Sequence, residues 1–179
     1  MGAFDEALSS MQLAPGPNCR EFEAEFSEFC DVTHAIGVGS GTDALQLLLH
    51  AHEIGPGDEV ITSSFTFIAT IEAIMLLGAT PVLADIEPET FCLDPTEVAA
   101  TITPRTRAIM PVHLYGHPAD MDAITDVIGD RDIALVEDAA QAHGALYRGK
   151  PVGGLADGAA FSFYLSKNLA AYGEAGAIT

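Results

Sequence analysis

Short apolar runs alternate with helical patterns along this chain, and that alternation limits the possible folds more than any other feature. From His34 onward the apolar runs predict strands at 35–38, 59–62, 81–84, 108–112, 133–137, 159–163 and 175–179. Apolar residues at helical spacing between them predict helices at 42–53, 67–77, 95–102 and 121–128. Strands and helices in alternation indicate an α/β fold with three layers, in which helices cover a mostly parallel sheet.

The first part of the chain has a different pattern. Phe22, Phe26 and Phe29 are spaced i, i+4 and i+7, which predicts an amphipathic helix with an apolar stripe. We therefore divide the chain into an N-terminal helical segment, residues 1–33, and an α/β part, residues 34–179. The helix is expected to pack against the α/β part.

Charge and cysteine content exclude several classes of function. The 179 residues include 7 basic and 26 acidic side chains, a net charge of −19 that repels nucleic acid and anionic membranes. Cys19, Cys30 and Cys92 have neither an even count nor C-x-x-C spacing, which disfavours disulfide frameworks and zinc ribbons. The first residues are acidic and lack the apolar core of a secretory signal, which disfavours secretion. We predict a cytoplasmic protein without nucleic-acid or membrane partners and without a metal.

Small residues follow the first predicted strand and lead into a helix. Gly39, Ser40, Gly41, Thr42 and Asp43 would bring free backbone amides and a helix N-terminus to one point, as in a phosphate site. The same sequence also fits an ordinary strand-to-helix turn with an N-cap. A nucleotide site is disfavoured, because there is no G-x-x-x-x-G-K-[ST] motif.

Asp138 and Lys167 carry the most specific chemistry. Asp138 ends an apolar strand, so its carboxylate would reach the carboxyl edge of the sheet, where ligands bind in such folds. Lys167 follows another apolar strand, and only one other lysine, Lys150, occurs in the chain. The amine of Lys167 could capture an aldehyde, and the carboxylate of Asp138 could keep a pyridine nitrogen protonated. Together they predict a pyridoxal phosphate (PLP) site. The alternative for Lys167 is a solvated loop lysine.

Four further residues could contribute to the same site. Phe67 could stack on a flat ring, although a Phe at a helix start more often fills a core. Gln141, three residues after Asp138, could bond a ring oxygen, and Ser162 could add a hydroxyl to the phosphate. His113 is assigned a supporting role, because His113 and His117 lack a third metal ligand.

Taken in order, six stretches resemble the DegT/DnrJ/EryC1/StrS family of PLP-dependent sugar aminotransferases. They are residues 39–45, 57–61, 64–70, 111–116, 137–144 (EDAAQAHG) and 162–169. The resemblance implies the large domain of the fold type I PLP-dependent transferases. It also implies a protein of about twice this length, a two-domain size, with the rest of the large domain and a C-terminal small domain outside this chain.

The resemblance also implies roles for individual residues. Lys167 would be the Schiff-base lysine and move the proton during transfer, and Asp138 would be the partner of the ring nitrogen. Gln141 would contact the ring oxygen, and Phe67 would stack on the ring. The phosphate would be held near Gly41 by Thr42, Asp43 and Ser162.

The implied activity is transfer of an amino group, commonly from glutamate, to a keto group of a nucleotide-linked sugar or cyclitol by a homodimer. Two alternatives stay open. One is the dehydratase branch of the family, in which histidine replaces the lysine. The other is a truncated remnant or a non-enzymatic module that keeps the fold. We also expect the strand at 175–179 to leave an unpaired sheet edge, which would reduce turnover by this chain alone.

Overall fold

The computed structural model describes residues 2–12 and 16–179, and its elements alternate as the sequence predicts. The helices are α1 (Gly2–Ser10), α2 (Pro17–Phe29), α3 (Gly41–Ala51), α4 (Ile68–Leu76), α5 (Pro95–Thr101) and α6 (Met121–Ile128). The strands are β1 (Ile36–Val38), β2 (Glu59–Ser63), β3 (Thr80–Ala84), β4 (Thr106–Met110), β5 (Ala134–Asp138), β6 (Leu146–Tyr147), β7 (Lys150–Pro151), β8 (Gly158–Ser162) and β9 (Gly176–Ile178). A short 3-10 turn spans Leu114–Gly116.

Seven of these strands form one sheet in the order β1-β9-β8-β5-β4-β2-β3. β2, β3, β4, β5 and β8 pair in parallel, whereas β9 runs antiparallel to both of its neighbours, β1 and β8. β6 and β7 form a separate two-stranded hairpin. The mostly parallel sheet confirms the predicted fold class.

The position of β9 contradicts the expectation of an unpaired edge at 175–179. Ala177 is paired with Gly37 on one side and with Phe161 on the other, so this strand lies inside the sheet. The edges are β1 and β3 instead. The sequence analysis took the last strand in the chain to be the last in the sheet, but here the chain returns between two earlier strands.

Alternating side chains of the central strands build a core on each face of the sheet. Val60 and Met110 pack with Leu45, Leu49 and Ile74 of α3 and α4 in one core. Their strand neighbours Ile61 and Ile109 pack with Val98 of α5 and Ile124 of α6 in the other. Period-two alternation in strands that are buried on both faces produces the three layers.

A third core joins α2 to the sheet. Phe26 is buried, and its ring makes edge-to-face contacts with Phe161, at 5.0 Å between centroids, and with Phe163, at 5.3 Å. Phe22 also contacts Phe163 edge-on. Two residues of the predicted phenylalanine stripe, Phe22 and Phe26, therefore pack against β8 and the residue after it, whereas Phe29 stacks on Phe26 and is half exposed. Among the described residues, no helix is both long and apolar enough to cross a membrane.

Candidate active site

A cavity of about 390 Å³ opens beyond the carboxyl ends of the strands, where parallel sheets bind ligands. Its wall contains most of the residues that the sequence analysis selected: Gly41, Thr42, Phe67, Asp138, Gln141, Ser162 and Lys167. Asp43 is not in the wall. Residues from five separate loops and strand ends thus meet at one site.

The N-terminus of α3 forms one side of the cavity. Ser40 caps the helix: its Oγ accepts a hydrogen bond of 3.0 Å from the Asp43 amide. This bond uses the amide of Asp43, and the carboxylate of Asp43 lies beside Gly39. The first amides of a helix have no partner within the helix, so Gly41 and Thr42 present an anion-binding end to the cavity.

Gly41 is required by a close approach of α3 to β8. A Cβ atom at this position would lie 2.6 Å from Cβ of Ser162, a distance that side chains do not tolerate. The missing side chain allows the start of the helix and Ser162 to border the same space. Gly176 plays a similar part, because a Cβ atom there would lie 2.3 Å from the carbonyl oxygen of Ser40.

Asp138 is buried at the floor of the cavity and ends a chain of hydroxyl groups. Thr70 Oγ1 donates to Asp138 Oδ2 at 2.7 Å, and Thr66 Oγ1 lies 2.8 Å from Thr70 Oγ1. Because a hydroxyl has a single proton, Thr66 must donate to Thr70 while Thr70 donates to Asp138. The other carboxylate oxygen, Oδ1, accepts from the amide of Ala140 at 3.2 Å.

Burial raises the pKa of Asp138, and the bonds from Thr70 and Ala140 and the nearby charge of Lys167 only partly oppose this rise. A desolvated carboxyl group of this kind gains most from a positive charge placed next to it in the cavity.

The neighbouring carboxylate, Glu137, points away from the cavity and holds the back of the site together. Its oxygens accept from the amides of Gly153 and Leu155 and from His113 Nε2, at 2.9 to 3.0 Å. His113 Nδ1 accepts from the amide of Ala119, so Nε2 must carry the proton of a neutral ring. His113 and Glu137 are both fully buried. The supporting role predicted for His113 is thus a fixed contact with β5.

Lys167 and Phe67 lie on another side of the cavity. The Lys167 amine lies 5.9 Å from the centroid of the Phe67 ring, and that ring is mostly exposed to solvent. Phe67 was predicted as the first residue of the helix at 67–77, but it is the extended N-cap residue one position before α4 begins. Gln141 is fixed by the bond that its Oε1 accepts from the Tyr115 amide at 2.9 Å.

Comparison with known proteins identifies the family. The sequence model of the DegT/DnrJ/EryC1/StrS aminotransferase family matches residues 1–179. The chain belongs to this family. The resemblance stated from six short stretches is confirmed, and it extends over the whole chain.

Individual members of the family are similar in sequence and in structure. The dTDP-3-amino-3,4,6-trideoxy-alpha-D-glucose transaminase of Streptomyces venezuelae is 52% identical over 176 residues, covering 98% of this chain and 46% of that protein. The crystal structure of S. venezuelae DesV has a TM-score of 0.91 and 49% identity, covering 99% of this chain and 49% of that one. The ntda protein of Bacillus subtilis with bound cofactor PMP has a TM-score of 0.94 and 37% identity, covering 99% and 40%. The chain spans about half the length of the relatives it matches.

Two polar residues of the site were missed by the sequence analysis. Thr70 supplies the hydroxyl donor to Asp138, and Ser40 caps α3. A signal for Thr70 was present, because it is a polar residue in the first turn of an otherwise apolar helix, just after a predicted strand end. Ser40 was noted only as part of the Gly-rich turn.

Proposed function

We propose that the protein containing this chain is a PLP-dependent aminotransferase that acts on a keto group of a nucleotide-linked sugar or cyclitol. The observation that carries this proposal is the convergence of Asp138, Lys167, Phe67 and the N-terminus of α3 on one cavity. The names of relatives support the class of substrate, as with the transaminase of S. venezuelae and the GDP-perosamine synthase of Caulobacter vibrioides.

The residues present fit PLP at each of its functional groups. The phosphate would be held by the backbone amides of Gly41 and Thr42 and by the Ser162 hydroxyl, and Phe67 would lie against the ring. Asp138 would bind the protonated ring nitrogen, which supplies the positive charge that its desolvated carboxyl group lacks. When bound, PLP supplies an aldehyde and an electron-withdrawing ring.

Lys167 would hold the aldehyde carbon through its amine. With the substrate in place, the freed Nζ of Lys167 would take up and return the proton at the reacting carbon. Gln141, fixed by the amide of Tyr115, would orient the ring through its oxygen. Asp43 belongs to this proposal only as part of the turn, because its amide is bonded to Ser40.

The test is reduction of the PLP-loaded full-length protein with borohydride, followed by peptide mapping. We expect the pyridoxyl label on Lys167. Lys150→Arg is the matched control, since Lys150 is the other lysine of this chain and lies outside the cavity wall. Lys150→Arg should leave the label in place, and Lys167→Arg should abolish it. A label on Lys150, or no label on a PLP-loaded sample, would contradict the assignment.

A second measurement tests the reaction itself. Adding glutamate to the PLP-loaded protein should convert PLP to its amino form, PMP, which is visible as a change in the absorption spectrum. Adding keto-sugar candidates should then regenerate PLP. A protein that binds PLP on Lys167 but shows no change with any amino donor would support the non-enzymatic alternative.

We further propose a cytoplasmic homodimer. Leu47 of α3 and Ile68, Met75 and Leu76 of α4 have exposed apolar side chains, which is typical of a surface that is covered in an assembly. Cys19, Cys30 and Cys92 are all free thiols, in keeping with a reducing compartment. Light scattering on the full-length protein should give the mass of a dimer, and fully active monomers would exclude the proposed assembly.

A further inference from the structure

His143 is a polar side chain that the proposed mechanism does not use. Within residues 2–12 and 16–179, neither Nδ1 nor Nε2 of its ring has a hydrogen-bond partner, although both atoms are buried. Unpaired buried polar atoms are uncommon in folded proteins because each costs free energy, so each one calls for an explanation. The explanation has to come from what surrounds the ring.

The ring of His143 packs against β8 and the residue after it, just ahead of the segment that carries Lys167. It is five residues after Asp138 and packs against Phe161, at 5.4 Å between centroids, and against Phe163, at 5.2 Å. The Ser162 backbone, the charge of Lys167 and the Asn168 side chain lie near enough to act on the pKa of His143. The polar groups around His143 therefore come from the end of β8 and from the segment that carries Lys167.

The segment at 164–174 has few bonds of its own that hold Lys167 in place. It contains no regular helix or strand. The Lys167 amide donates to the Tyr164 carbonyl and the Ala171 amide to the Phe163 carbonyl, both at 2.8 Å. These bonds fix the backbone at two points, but neither of them orients the side chain of Lys167 or Asn168.

We propose that His143 is a positioning residue, whose ring hydrogen-bonds the Asn168 side chain in the PLP-loaded protein and so holds Lys167 in the orientation that captures the aldehyde. The inference rests on the proposed function, because it assigns His143 a part in the use of Lys167. A neutral imidazole has one donor and one acceptor, and an amide side chain can pair with either. Phe161 and Phe163 fix the plane of the ring, so the bond would act from a rigid support.

The neutral form of the ring fits this arrangement. Burial lowers the pKa of His143, the positive charge of Lys167 lowers it further, and the Ser162 backbone and the Asn168 side chain oppose the change. A neutral ring next to Lys167 avoids a second positive charge beside the amine.

The test measures how fast Lys167 captures added PLP, by borohydride quenching at set times and mass spectrometry of the labelled peptide. His143→Phe keeps an aromatic ring between Phe161 and Phe163 and removes both nitrogens. Asn168→Leu removes the amide at similar size. We expect each change to slow capture about fivefold to tenfold, the factor for one hydrogen bond, and the double variant to be no slower than either single variant. His143→Gln, which keeps a donor and an acceptor, should recover most of the rate.

A structural role would give a different set of results. Since the ring nitrogens have no partner, His143→Phe should leave the unfolding midpoint of the PLP-free protein unchanged or raise it, while it slows capture. His50→Phe is the matched control, because His50 is exposed at the far end of α3, and it should leave capture unchanged.

Three outcomes would overturn the inference. His143→Phe could capture PLP at the rate of the unmodified protein, or its slower capture could be fully explained by a smaller folded fraction. The third outcome is that the effects of His143→Phe and Asn168→Leu multiply in the double variant. If the unmodified protein carries no label on Lys167, the proposed function itself is wrong. If Lys167 is labelled at the same rate in the unmodified protein and in His143→Phe, only the inference about His143 is wrong.

Discussion

Thr70→Val removes the hydroxyl group that donates to Asp138 and so interrupts the chain of hydroxyl groups from Thr66 to Asp138. Valine has the shape of threonine but lacks the hydroxyl, so Asp138 Oδ2 loses a donor that lies 2.7 Å away in a buried site. A hydrogen bond to a charged group contributes about 1.5–3 kcal/mol, against about 0.5–1.5 kcal/mol for a bond between neutral groups. We therefore expect the free energy of unfolding to fall by about 1.5–3 kcal/mol where Asp138 is ionised, and by less where it is protonated.

The dependence on pH follows from the direction of the pKa change. Thr70 lowers the pKa of Asp138 against the effect of burial, so Thr70→Val raises that pKa further. The loss of stability caused by the substitution must then grow as the pH rises from the raised pKa of Asp138 to its still higher pKa in the variant. For each unit by which the substitution raises the pKa of Asp138, its cost in unfolding free energy is about 1.4 kcal/mol larger at high pH than at low pH.

Urea denaturation of the PLP-free protein at a series of pH values from 5 to 8 measures this effect. Thr66→Val is the matched control, because it removes the outer hydroxyl and leaves the bond between Thr70 and Asp138 intact. It should cost less stability, and its cost should not change with pH. A cost for Thr70→Val that shrinks as the pH rises, or that equals the cost of Thr66→Val, would refute the assigned direction of the hydroxyl chain.

Two further substitutions test other contacts. Gly41→Ala should both destabilise the protein by about 1–3 kcal/mol and weaken PLP binding, measured by denaturation and by absorbance titration, because the new methyl group meets Ser162; unchanged PLP affinity would contradict the close approach. Tyr147→Phe removes a donor 2.6 Å from Asp120 and should cost about 0.5–1.5 kcal/mol near neutral pH. Tyr147 lowers the pKa of Asp120, so this cost should shrink as the pH falls through the aspartate range, and a cost that grows in acid would contradict the assignment.

The sequence was sufficient for the elements with strong local patterns. Helix α6 has the predicted bounds, Met121–Ile128, since an Asp120 cap and apolar spacing mark it clearly. Strand β4 begins at Thr106 and ends at Met110, two residues before the predicted range, because a strand buried on both faces has no polar alternation to mark its ends. Helix α1 and the hairpin of β6 and β7 were not predicted.

Asp138 and Lys167 were predictable from the sequence, because each has a side chain of specific chemistry and lies at or after the end of a predicted strand. The roles of Thr70 and Glu137 were not predictable in this way. Their partners are distant in sequence: Thr70 bonds a residue 68 positions away, and Glu137 bonds amides 16 and 18 positions away. Such contacts exist only once the layers have packed. The same reasoning explains β9, whose place inside the sheet depends on pairing with β1 and β8.

Two adjacent carboxylates, Glu137 and Asp138, face opposite sides of the sheet and should respond to the same chemical change in opposite ways. Glu137→Gln would place an amide N–H₂ group either against the Leu155 amide or against both the Gly153 amide and the proton on His113. A change of tautomer cannot help, because His113 Nδ1 already accepts from Ala119. Each buried donor left without an acceptor costs about 1–3 kcal/mol, so this variant should be markedly less stable.

Asp138→Asn can keep both of its bonds, since the asparagine oxygen can accept from Ala140 and its N–H₂ group can donate to Thr70. Because the pKa of Asp138 is raised, the unmodified protein loses stability as the pH rises from the ordinary pKa of aspartate to the raised one. The PLP-free Asp138→Asn variant should therefore be more stable than the unmodified protein at neutral pH, and the difference should vanish in acid. Its affinity for PLP should nevertheless fall by roughly tenfold to a hundredfold, the factor for one bond to a charged group. Denaturation curves and PLP titrations of the two variants check both signs. An Asp138→Asn protein that is destabilised at neutral pH, or that binds PLP as tightly as the unmodified protein, would mean that Asp138 serves the fold and not the cofactor.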